Sequence, residues 1–81
     1  MTIEEILSHD KEFRYSLLDR MVSDCKYYLG YGNRQSKYLW AGNTTNHIAY
    51  MLKIWKSFPI GQKPKWLTKP QINRYKLEMI G

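Results

Sequence analysis

Helical periodicity in this chain breaks over one long stretch, and that break decides what the rest can fold into. Asp24 to Asn43, DCKYYLGYGNRQSKYLWAGN, holds the only cysteine, four of the seven tyrosines and three of the five glycines. Its first residues still belong to a helix. Leu18, Met21, Cys25 and Tyr28 recur at spacings of three and four, and Leu17, Val22 and Leu29 widen the stripe. Gly30 is placed to take the left-handed conformation that ends a helix. Tyr31 to Gly42 has no helical period, and GYGN forms turns because Gly and Asn tolerate positive φ. Tyr38-Leu39-Trp40, either one extended segment or one turn of 3₁₀ helix, is expected to plug an apolar cleft between helices.

On either side of the break the helix signals are local and strong. Thr2-Ile3-Glu4-Glu5 fits a capping box and opens a short helix to about Ser8. Ser8 and Asp10 suit the N-cap of a long helix from Asp10 to Leu29. Asn43-Thr44-Thr45 offers N-caps for a second long helix. Its apolar face is expected to hold Ile48, Met51, Leu52 and Trp55, with Ile54 and Phe58 flanking and Lys53 and Lys56 pointing away. Pro59 stops it. In LTKPQI, Thr68 and Gln71 fit a T-x-x-Q capping box, Leu67 and Ile72 a hydrophobic staple, and Pro70 falls in the first turn. The last helix then uses Ile72, Tyr75 and Met79, with Leu77 and Ile80 at its edges. The expected fold is all-α: a compact bundle of three main helices, a long structured loop between the first and second, and a short extra N-terminal helix as an optional addition.

At 81 residues the chain is one domain, 1–81, with a small core in which aromatic rings supply much of the buried area. No apolar run approaches the roughly 20 residues that span a bilayer, so no membrane role is expected. The acidic, interrupted N-terminus does not resemble a secretory signal. One cysteine excludes an internal disulfide and fits a reducing, cytoplasmic setting. Charge is uneven. Residues 1–24 carry six acids against three cations, whereas residues 25–81 carry ten cations and only Glu78. That asymmetry favours an acidic or polyanionic partner for the second part, or pairing of the acidic first helix with basic neighbours.

Four constellations invite chemistry. Cys25 and His47 form a thiol–imidazole pair on paper, but Cys25 lies in the apolar stripe, so a buried structural cysteine is the expected reading. A metal site would have to gather Cys25, His47, Asp24 and His9 without any CxxC, HxxxH or HExxH spacing. No catalytic residue, metal or cofactor is therefore expected. His47 is expected to fix the second helix or bond to the loop. GYGNR, Gly30 to Arg34, offers amides and a guanidinium to a phosphate, but it follows a helix, unlike a P-loop or dinucleotide fingerprint. Lys63, Pro64, Lys65 and Trp66 suggest an exposed basic-aromatic ridge. With Lys37, Lys69, Arg74 and Lys76 they could track a nucleic acid, although about nine residues between the last two helices are too many for a helix-turn-helix.

Ser23-Asp24-Cys25, Tyr27 to Gly30, Gly32-Asn33-Arg34, Leu39 to Gly42, His47-Ile48, Met51, Pro59, Lys63-Pro64, Trp66-Leu67-Thr68, Ile72 and Tyr75 together resemble large polyvalent protein-associated domain 11. The resemblance covers residues 17–76, leaving 1–16 as an N-terminal extension or first helical turns. It implies a phage or mobile-element setting and a counter-defence or host-takeover role in the bacterial cytoplasm, with no agreed reaction. The resulting expectation is a non-enzymatic binding protein that occupies a host protein, possible defence or nucleic-acid-processing factors included. The alternatives are nucleic-acid binding through the basic C-terminal part, and a sponge for a phosphorylated small ligand. A homodimer is compatible with each. Expected partner-binding residues are Tyr31, Asn33, Arg34, Lys37, Lys63, Lys65, Trp66, Lys69 and Arg74. Cys25, Tyr28, Gly30, Trp40, His47, Trp55 and Thr68 are expected to be structural.

Overall fold

Every α-helix starts on a side-chain cap. In the computed structural model, which describes residues 2–80, α1 spans Ile3–Ser8, α2 Lys11–Leu29, α3 Thr44–Lys56 and α4 Lys69–Ile80. Asp10 accepts from the amide of Phe13 at 2.9 Å, and Asn43 from that of Asn46 at 2.8 Å. At α4 the box is reciprocal: Gln71 Oε1 accepts from the Thr68 amide at 2.8 Å, and the Gln71 amide donates to Thr68 Oγ1 at 3.4 Å. At α1 it is one-sided. Thr2 Oγ1 accepts from the Glu5 amide, but the Glu5 carboxylate meets the Thr2 hydroxyl and not its amide. These are the all-α elements expected: three main helices, a short N-terminal one and a long loop between α2 and α3.

The core lies where α2, α3 and α4 meet, with Ile6 of α1 added at one end. From α2 come Leu17, Leu18, Met21, Val22, Cys25 and Tyr28, as their spacing requires. On α3 the face is rotated from expectation. Ile48 and Met51 are buried as expected, but the most buried stripe is His47, Met51 and Ile54 with Phe58 just past the helix end, spaced by four, three and four, while Leu52 and Trp55 are only half-buried. The reason is the indole of Trp55, whose N–H donates to the Leu67 carbonyl at 3.0 Å. A ring with a polar edge settles at the margin of a core where that edge finds an acceptor. The same bond ties the end of α3 to the start of α4. The end of α3 and the start of α4 thus lie together, and these two helices make the most extensive helix pair.

Two polar contacts cross the buried seam between α2 and α3. His47 Nε2–H donates to the Met21 carbonyl at 2.9 Å, and the Cys25 thiol to Met51 Sδ at 3.5 Å. Because a carbonyl can only accept, Nε2 carries the proton. Nδ1 is then a bare, buried acceptor without a partner.

Gly30 does not end α2 in the left-handed conformation; its φ is −109°. The reversal comes two residues later. The Gly32 amide reaches back to the Tyr27 carbonyl at 2.7 Å, and the Arg34 amide to the Tyr28 carbonyl at 2.9 Å. Asn33 and Arg34 hold positive φ, 53° and 58°, and the Gln35 amide closes the turn on the Gly32 carbonyl at 3.0 Å. Two central residues at positive φ make this the type I′ geometry. Gly32 is required by close approach, since a Cβ there would sit 2.9 Å from the Tyr27 carbonyl oxygen. A 3₁₀ turn over Ser36–Tyr38 follows. The plug is narrower than expected: Leu39 is buried and Trp40 half-buried, but Tyr38 lies outside, edge-on to Tyr27 at 5.0 Å. The Trp40 amide donates to Asp24 Oδ2 at 3.0 Å and pins the loop to α2.

Two predictions follow from these contacts. Gly32→Ala must displace helix backbone and is expected to cost about 2–3 kcal/mol, whereas Gly42→Ala, at φ 83° in open space, meets only conformational strain of about 1 kcal/mol. Urea midpoints of the two variants would differ accordingly; equal losses would mean that close approach at Gly32 does not terminate α2. Burial pushes the His47 pKa below its ordinary 6.5, against smaller opposing effects of the Met21 bond and the Asp24 charge. The unfolded chain thus takes up a proton that the folded one refuses. The resulting stability is present in full above pH 6.5 and is lost as pH falls from there through the lower folded value. Unfolding midpoints between pH 8 and 5 should decline less in His47→Gln than in the wild type.

Candidate functional site

Cys25 and His47 are both fully buried in the α2–α3 seam, the one bonded to Met51 and the other to the Met21 carbonyl. Burial, with a smaller contribution from the Asp24 charge, pushes the Cys25 thiol up to about 12. Such a thiol is neutral and sealed, a packing residue and not a nucleophile. Among the described residues no group of three or more His, Cys, Asp or Glu side chains is arranged to hold a metal ion.

Four of the five amides of GYGNR are already engaged. Those of Gly30, Gly32 and Arg34 donate to carbonyls of α2, and that of Asn33 to Gly30. A phosphate cradle needs such amides free. Arg34 sends its guanidinium to the Glu78 carbonyl at 2.8 Å, in the last turn of α4. What the loop presents outward is Tyr31, 90% exposed, with Asn33, and Lys37, whose ammonium lies 5.2 Å from the Tyr38 ring centre.

The expected basic-aromatic ridge is split. Pro64 is buried, and Lys63 folds back over the Trp55 ring at 4.9 Å with its ammonium on the Phe58 carbonyl. Only Lys65 and Trp66 remain outward, and the Trp66 indole N–H donates to the Tyr15 hydroxyl. Trp66 and Tyr15 meet edge-to-face at 5.2 Å. Thr68, Trp40 and Trp55 hold the structural places given above.

Sequence reasoning missed Arg14. It is half-buried at the start of α2, donating to Ser57 Oγ at 2.6 Å and lying over the Phe58 ring at 5.1 Å. The signal was present, because Arg14 stands four residues before Leu18 on the same stripe. Arg14, Lys63 and Arg34 share one pattern. Each cation, half-buried for Arg14 and Lys63 and exposed for Arg34, donates to a carbonyl near a helix C-terminus: Ser57, Phe58 and Glu78. The partial negative charge there suits them, but it leaves their full charge unneutralised.

The acidic first part does not compensate. Among the described residues the one side-chain ion pair is Arg74–Glu78, an exposed contact at 3.4 Å within α4. Lys69 is the first residue of α4, where the helix dipole favours an acid. Its charge is therefore not placed there to stabilise the helix.

Among the described residues no helix is long and apolar enough to cross a membrane. No curated protein and no solved structure matches the chain. The family model for large polyvalent protein-associated domain 11 matches residues 11–79, from the first residue of α2 nearly to the end of α4. The chain thus belongs to the large polyvalent protein-associated domain 11 family, a family associated with phages and mobile elements.

Proposed function

We propose that this is a non-enzymatic binding protein which acts in the bacterial cytoplasm as a counter-defence or host-takeover factor by occupying a host protein. One observation carries the reading. Ten cations in residues 25–81 face a single acid, and that acid is engaged with Arg74. Such a surface attracts an acidic partner over several ångströms and aligns it on approach. The buried, neutral Cys25 and His47 support a binding role over turnover.

The same cations suit nucleic acid, so the test must separate the two. Tagged protein is used for affinity capture from host cells carrying the element, with and without nuclease. The expected result is one host protein retained after nuclease treatment and reduced at least tenfold on Lys65→Glu with Lys69→Glu. Loss of all captured material on nuclease treatment, with binding to an oligonucleotide that falls steeply with salt, would replace this reading by direct nucleic-acid binding.

A further inference from the structure

We infer that the groove between α3 and α4 is the docking site for an acidic amphipathic helix of the protein partner; this rests on the binding role proposed above. Two stripes border the groove. Thr45, Ala49 and Leu52 of α3 and Asn73, Lys76 and Ile80 of α4 line it, and the same spacing of three and four continues along each helix to Lys56 and Lys69. The Trp55–Leu67 bond sets the end of α3 by the start of α4, so Lys56 and Lys69 belong to that end, while Thr45 and Ile80 come from the opposite ends of the two helices. Between the stripes lies a hollow of about 250 Å³, floored by Ile48, Leu52 and Ile72. Its apolar character continues outward at the Ile80 end, where Ile80 is 44% and Leu77 70% exposed.

Charge identifies the occupant. Lys53, Lys56, Lys69 and Lys76 are all exposed on these two helices. α3 contains no acid. The single acid of α4, Glu78, stands on the other flank, where with Gln71, Arg74 and Tyr75 it lines a separate hollow. An apolar hollow with Lys76 on its wall and three more lysines exposed on the same two helices is the complement of a helix whose apolar stripe is edged by Asp and Glu. α3, at 13 residues, offers a track of about 20 Å for it. Lys69 then acquires a reason for its place against the dipole of its own helix. Nucleic acid is the less suited occupant, because no aromatic ring lines the hollow to stack a base and its floor is apolar. A second copy fits no better, since a two-fold contact through this face would set the lysines against themselves.

The test is a titration of ¹⁵N-labelled protein with three 15-residue peptides: one with a leucine stripe edged by glutamates, one of the same composition scrambled, and one edged by lysines. The glutamate-edged helix is expected to shift the amides of Ala49, Leu52, Asn73, Lys76 and Ile80, and to bind at least tenfold more weakly to Ala49→Arg and to Lys53→Glu with Lys76→Glu. Ala49 is exposed and helical, so its substitution leaves the core untouched. Equal binding of the scrambled peptide, shifts on another face, or no binding would overturn the inference. So would a (dT)20 oligonucleotide shifting the same amides, or concentration-dependent shifts without peptide that mark a second copy in the groove. Ala49→Arg is also carried through the host capture. If it still retains the nuclease-resistant host protein, the groove assignment fails while the binding role stands. If the wild type retains none, the binding role itself fails.

Discussion

The bond from His47 Nε2 to the Met21 carbonyl sets α3 against α2, and the remaining architecture follows from that contact. A net contribution of about 1 kcal/mol is typical of such a bond, and a buried unsatisfied acceptor such as Nδ1 costs about 1–3 kcal/mol. The imidazole is therefore not there for stability. An apolar side chain of similar size would do as well or better on that count. What it supplies is register. Only one rotation of α3 brings the imidazole under the Met21 carbonyl and Met51 against the Cys25 thiol. That rotation sends Ile54 and Phe58 inward and leaves Trp55 at the rim. There its indole fixes the start of α4, so the α3–α4 groove is a consequence of the seam.

Cations complete the assembly in a way that keeps the surface basic. Arg14 holds the end of α3 beside the start of α2, Lys63 holds the turn after α3, and Arg34 holds the end of α4 beside the loop. Each joins segments far apart or around a tight corner by donating to a carbonyl and not to a carboxylate. A carbonyl ends the search for an acceptor without cancelling the charge. The acidic residues of the first 24 positions meanwhile make no ion pair among the described residues. The polarity readable in the sequence thus survives folding.

What the sequence disclosed divides by range. Capping is decided within four residues, so Asp10, Asn43 and Thr68 with Gln71 could be read directly. The α2 stripe was also legible, because it is buried along most of its length. The rotation of α3 was not, since apolar residues surround much of that helix and the choice among them depends on distant partners. Gly30 and Gly32 are indistinguishable as letters; only the approach of the Tyr27 carbonyl tells which one the turn requires. The supposed ridge failed for a similar reason. Pro64 and Lys63 turn inward to serve Phe58 and Trp55, contacts that spacing cannot show. For the candidate surface, the charge imbalance was plain, but its separation from Glu78 required the two flanks of α4.

The proposed occupancy rests on a basic surface that stays unneutralised on folding. The most direct measurement is the activity of the captured host protein, titrated with this protein at concentrations well above the dissociation constant. Occupancy predicts a linear loss that is complete at a fixed stoichiometric ratio and is restored when the protein is removed. Progressive loss at far below one equivalent, not restored on removal, would show turnover and contradict the account.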